Sequence, residues 1–294
     1  MVQVDCEDAS NCRRSSAGIR TMSRGPSTEA RKPANAGELW VCPEDAQRLN
    51  DDTQQYHPCL LTRNKTIDSL LEGGIQYGLQ LCISATDNSD STLIGNLLIS
   101  SHIQASQTAQ VTVVDTNNTF DVRPLARVVE RQSTPEKVHA LLERVRIIRT
   151  FDFEGVGASL DKIKADIQSD SSHKHLLVFD GLSHGARVSL KNNAVQAQAD
   201  LDTFFKALQA LSTDYGVLSV LVEGFVQNRD IEANHECLFH ATELQPFFST
   251  NTAPSIDLHV HVHSTQSHKV LEVMASRHNG NSKKWVECEA TELE

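Results

Sequence analysis

The chain has 294 residues, 39 % of them apolar, and a net charge of −11 at pH 7. That length allows one large domain or two small ones, and no apolar run reaches the roughly eighteen residues of a membrane-spanning helix. Such acidity excludes strong unaided binding to nucleic acid, because phosphate neutralisation by Lys and Arg supplies most non-specific affinity. The charge is uneven: residues 1–32 hold six bases and four acids, a net of +2, which leaves −13 for the remainder.

Residues 1–37 are rich in Ser, Arg, Ala, Gly and Pro and have few large apolar side chains. Their composition predicts a disordered tail, since little burial is available to offset the entropy of ordering. The opening "MVQVDCEDASNC" carries acids and no apolar core, so neither a secretory signal nor a transit peptide is expected. Seven cysteines without regular spacing point to free thiols in a reducing compartment. Residues 38–65 are expected to be a linker with a short helix over "PEDAQRL", and Trp40 to pack somewhere. The core domain is expected over 66–294.

It opens with a helix in "TIDSLLEGG" and a turn at Gly73–Gly74. "LQLCIS" reads as a strand, with Cys82 a core thiol, and "TLIGNLLISSHIQ" as a helix with Leu93, Leu97 and Leu98 on one face. "AQVTVVD" is a buried strand ending in Asp115, residues 135–143 are helical with Pro135 in the first turn, and "VRIIR" is a short strand. "GASLDKIKADIQS" is a helix and "HLLVFD" the plainest buried strand. Helix 194–213 repeats Leu201, Phe204, Phe205, Leu208 and Leu211 at helical spacing. "GVLSVLVEG" is a further buried strand, and "SIDLHVHVHS", "HKVLEVMAS" and "KKWVECE" alternate as three antiparallel strands. The alternation predicts an α/β fold: a mainly parallel sheet, covered by helices on both faces, with an antiparallel meander at its C-terminal edge. Ligands in such sheets bind beyond the carboxyl ends of the strands, where residues 84–91, the residues after Asp115, Asp180 and the residues after Glu223 fall.

Four segments in order, "LLEGGIQYG", "VTVVDTNNTF", "HLLVFD" and "ALQALSTDYGVLSVLVEG", resemble the RecA-type ATPase core of the eukaryotic recombinases and their paralogues. The likeness covers roughly residues 66–224 and weakens toward 275. It implies a RecA-like P-loop core, and it marks departures. The family's phosphate loop is G-x-x-x-x-G-K-T, whose glycines let backbone N–H groups cradle phosphate and whose Lys and hydroxyl serve phosphate and Mg²⁺. At those positions stand Ala85, Asp90, Ser91 and Thr92, with Asp87 and Asn88 inside the loop. The family's catalytic glutamate falls on Asn117, an amide that cannot accept a proton, and its terminal Gln on Gly224. Thr92 and the magnesium-site acid Asp180 survive, although an Asp ending a strand also serves as a helix cap.

The resemblance therefore implies a pseudo-ATPase: no ATP hydrolysis, and no ATP or Mg²⁺ as a working cofactor. It also implies a nuclear recombinase paralogue in homologous recombination and DNA repair, assembled with other recombinase-family proteins in a hetero-oligomer. Single-stranded DNA would be met weakly or indirectly, through Arg187 and Lys191 in a first mobile loop (184–193) and Arg229 in a second (227–248), where four acids oppose it. "FFKA" at 204–207 has the letters of an interface peptide, but its Phe residues are needed in the core. Two alternatives are a RecA-fold scaffold of another complex, like Elongator subunits, and a weakly ATP-binding DNA-dependent ATPase. His259, His261 and His263 are expected on an exposed edge-strand face, and His235, Cys237 and His240 in a loop; neither set is assigned a metal.

Overall fold

The computed structural model describes residues 59–169, 173–227, 244–248, 256–264, 268–276 and 284–289. Expectations for the tail, for residues 38–58 with Trp40, for Arg229 and for His235, Cys237 and His240 lie outside them. Residues His57–Glu294 form one compact unit. It begins ahead of Thr66: β1 (Cys59–Leu60) pairs antiparallel with β2 (Ile75–Gln76), and Leu60 and Thr62 are buried. Between them lies α1 (Lys65–Leu70), capped by the Asn64 side chain.

The main sheet contains β3 (Gln80–Ala85), β4 (Ala109–Asp115), β5 (Val145–Arg149), β6 (Lys174–Asp180) and β7 (Leu218–Gln227). To these it adds β8 (Leu244–Pro246), β9 (Leu258–Ser264), β10 (His268–Ser276) and β11 (Lys284–Glu289). The order is β11-β10-β9-β3-β7-β6-β4-β5, with β8 beside β7. From β9 to β5 every neighbouring pair is parallel, whereas β9, β10 and β11 are antiparallel. The expected α/β architecture, with a mostly parallel sheet and an antiparallel C-terminal edge, is therefore what the chain adopts.

Helices cover both faces. α2 (Asn88–Ala105), α3 (Val122–Gln132) and α4 (Pro135–Leu142) lie on one, and α5 (Phe153–Ser169), α6 (Leu182–Asn192) and α7 (Ala194–Tyr215) on the other. Period-two alternation divides the core between them. Leu81, Ile83, Val111, Val113, Val178, Val220 and Val222 pack toward α2, while Cys82, Val114, Leu177, Phe179 and Leu221 pack toward α7. Phe204 meets Phe153, Phe179 and Phe205 edge-on, and all five apolar residues of the predicted helical stripe are buried.

Three expectations are corrected. Residues 184–193 do not form a mobile loop: Leu182, Ser183, Gly185 and Ala186 bury one side of α6, and Arg187 and Lys191 lie on its exposed side. β9 is not an edge strand. It runs between β3 and β10, and His259 and His261 are buried rather than exposed. The helix after β3 begins at Asn88, ahead of Thr92, and absorbs most of the supposed loop.

Candidate functional site

The carboxyl ends of β3, β7, β6 and β4 stand side by side, and the residues marked by the sequence converge there. The turn between β3 and α2 is only Thr86 and Asp87. Asp87 caps α2 by accepting from Ser89 N at 2.9 Å, and this bond, then the Ser89 hydroxyl and last the Lys269 charge, holds its carboxyl below the usual range. Asp90 sits in the first turn, 4 % exposed. Lys269 of β10 reaches its Oδ1 at 2.6 Å, and the Ser264 hydroxyl of β9 donates to its Oδ2. The Ser91 hydroxyl turns back to Asn88 O at 3.1 Å. Thr86 N donates to Val262 O at 3.2 Å, which seats β9 against the turn.

The chain thus fills the head of α2 with its own groups. A helix N-terminus attracts anions through free N–H groups and its dipole. Here the Asp87 cap takes Ser89 N, and Asp90 in the first turn is held by Lys269 and Ser264 from the neighbouring strands. The Asn88 carboxamide lies over Gly224 at the sheet edge, so close that any side chain at 224 would collide with it.

Asp115 and Asp180 are register partners on the α2 face. Asp115 is fully buried and accepts from Thr119 N at 3.2 Å and Phe120 N at 3.3 Å, with Arg149 Nε 3.6 Å away. The Asp180 carboxyl is pushed up to about 6 by burial and then by Asp115. Its carbonyl receives Thr116 N and the Thr116 hydroxyl at 3.1 and 3.0 Å. Asn117 turns its amide inward against Gly181, a left-handed residue with φ +72°. A narrow cavity between α2 and the strands is lined by Thr92, Asn96, Phe120, Val178, Asp180 and Val222. The buried Asn96 amide has no hydrogen-bond partner in it.

Glu223 lies on the opposite face, 1 % exposed, and burial pushes its carboxyl up to about 8, with Asp180 adding to the rise. Along the same face the Ser84 hydroxyl is 2.8 Å from His259 Nε2 and 3.1 Å from His261 Nδ1. Burial holds His259 neutral, down to about 4. Among the described residues no three His, Cys, Asp or Glu side chains are grouped to hold a metal ion.

Of the predicted residues, Thr92 and Asp180 line one cavity. Ala85 ends β3, the Ser91 hydroxyl turns back to Asn88, and Asp90 faces Ser264 and Lys269 instead. Arg187 and Lys191 stand apart on α6, in solvent. Sequence reasoning missed Lys269 and Ser264, because nothing local marks residues some 180 positions from the turn as its partners. Glu223 did carry a signal: an acid inside the apolar run "VLVEG".

Among models of protein families, the one described as Rad51 matches residues 56–276. No curated protein matches.

Proposed function

The chain belongs to the Rad51 family, a recombinase family of recombination and repair, and from that premise we propose that it is a non-catalytic paralogue working by protein contact. One observation carries this reading: at the head of α2 the first-turn Asp90 is tied to Lys269 and Ser264. A polyphosphate there would meet Asp87 and Asp90 in a site of lowered dielectric, without glycines to open the backbone and with the Lys269 ammonium already engaged. Asn117 supplies no base for a water nucleophile. Thr92 and Asp180 alone do not fit a Mg²⁺–nucleotide, so neither ATP nor Mg²⁺ is a cofactor in this reading, and no step runs through them.

What such a chain can offer is its fold. RecA-type cores pack head to tail with nucleotide at the joint, and a subunit that holds none can still present its other side to a neighbour's intact site. We place it in the nucleus, in a hetero-oligomer with recombinase-type ATPases, and let the partners carry most of the contact with single-stranded DNA. The charge of −11 supports that division. The experiment is to tag the chain, purify it gently from its own cells and identify what accompanies it. A recombinase-type ATPase at comparable amount is the expected result. Elongator-like subunits in its place, or the chain alone, would remove the adaptor role.

A further inference from the structure

The helices of this protein differ in how their first turns are capped. α1, α2, α3 and α7 are capped by the Asn or Asp that precedes them, namely Asn64, Asp87, Asp121 and Asn193. α6 is preceded by Gly181, which has no side chain to offer. Its cap comes through space: Ser183 N points between the two carboxyl oxygens of Glu223 on β7, at 3.3 and 3.2 Å, and Leu182 and the Ser183 hydroxyl add hydrogen bonds. The acid that fastens α6 is therefore buried in the sheet beneath it, and it forms no ion pair among the described residues.

The groups that bear on Glu223 can be named. Asp180 of β6 repels its charge, and Cys82 of β3 feels it in turn. Its register partner Ser84 leads to the neutral His259 and to His261 on β9. The helices over this face, α5 and α7, bring apolar side chains such as Phe153, Leu201 and Phe204. On α6 itself His184, Arg187 and Lys191 are exposed on the far side.

We propose that Glu223 is a proton-operated fastener for α6: with its proton it holds the first turn seated, and its ionisation favours a state in which that turn lifts and the carboxylate reaches water. The cause is the mismatch between burial and partners. The hydrogen bonds from α6 favour the anion, but loss of hydration and the Asp180 charge oppose it more strongly. Seated, the group titrates at about 8, against an ordinary value of 4.5. The seated state binds the proton more tightly than a lifted state in water. Lifting therefore becomes easier as pH rises from about 4.5 to about 8, and its cost levels off above that. The turn so controlled leads into the stripe Arg187, Val188 and Lys191, so the presentation of that basic face becomes proton-dependent. This inference goes beyond the adaptor reading and survives its failure.

Hydrogen exchange of the full-length protein across this pH range tests it, with rates corrected for intrinsic exchange. Protection of the first-turn amides of α6 is expected to fall with rising pH by up to about tenfold per unit and then flatten. α7 serves as the internal control. In E223Q, which keeps an acceptor but cannot ionise, the decline is expected to vanish. A wild-type profile without this decline overturns the proposal. So does a decline that persists in E223Q, which would belong to Asp180. Should E223Q not fold, E223M takes its place; should neither fold, the wild-type profile decides.

Discussion

Two helices begin at one edge of the sheet, and their first turns are closed in opposite ways. α2 is sealed from its own sequence, by Asp87 and Asp90, and the buried Asp90 is matched by the ammonium of Lys269 at 2.6 Å. α6 starts on a glycine and borrows the carboxyl of Glu223, which is just as deeply buried but has no cation among the described residues and feels the Asp180 charge from the other face. A buried carboxylate with a cation makes a permanent seal. One buried without a cation favours its proton and makes an adjustable closure. The first stands where the resemblance puts phosphate, and in the proposed reading it keeps nucleotide out. The second leaves the neighbouring helix responsive.

The largest effect should come from breaking the first closure. K269M leaves Asp90 without its cation at 4 % exposure and is expected to cost about 3 kcal/mol in urea unfolding. D90N in that background should restore part of the loss; strict additivity of the two changes would show that the pair is not coupled. The second closure has the opposite sign. The Glu223 share of wild-type stability should fall as pH rises from 4.5 toward 8, because the unfolded chain releases that proton first. His102 and His259, held neutral by burial down to about 4, act the other way below 6.5, so the share is read as the difference from E223Q. E223Q should flatten that slope and gain roughly 2 kcal/mol at the alkaline end. The smallest effect, under about 1 kcal/mol, is expected for G224A, whose methyl meets the end of the exposed Asn88 side chain, which can swing aside. N88A should remove what cost there is, and a loss above about 2 kcal/mol in G224A would show that the Asn88 carboxamide is held in place.

The fold was legible because its strands are apolar runs and its long helix, α7, repeats large apolar residues at helical spacing. Two helices escaped for a physical reason. α6 buries small residues, Ser183, Gly185 and Ala186, and so leaves a polar sequence with little apolar periodicity. α3 buries only Leu125, Val128 and Val129 among arginines, with Pro124 in its first turn. The site was half legible. Ala85, Asp90, Ser91, Thr92 and Asp180 follow one another in order along strands and turns, and their spacing could be aligned. Lys269 could not be found this way, because its meeting with Asp90 depends on β9 entering the sheet beside β3, a pairing no local pattern encodes. The same insertion buries His259 and His261, which alternation alone would leave at an edge.

The central claim is that the α2 end of the site is closed to nucleotide. The most direct measurement is isothermal titration of the isolated chain with Mg²⁺–ATP at millimolar concentration, repeated on T92A. The account predicts no binding heat in either protein. A saturable signal in the wild type that disappears in T92A would contradict it.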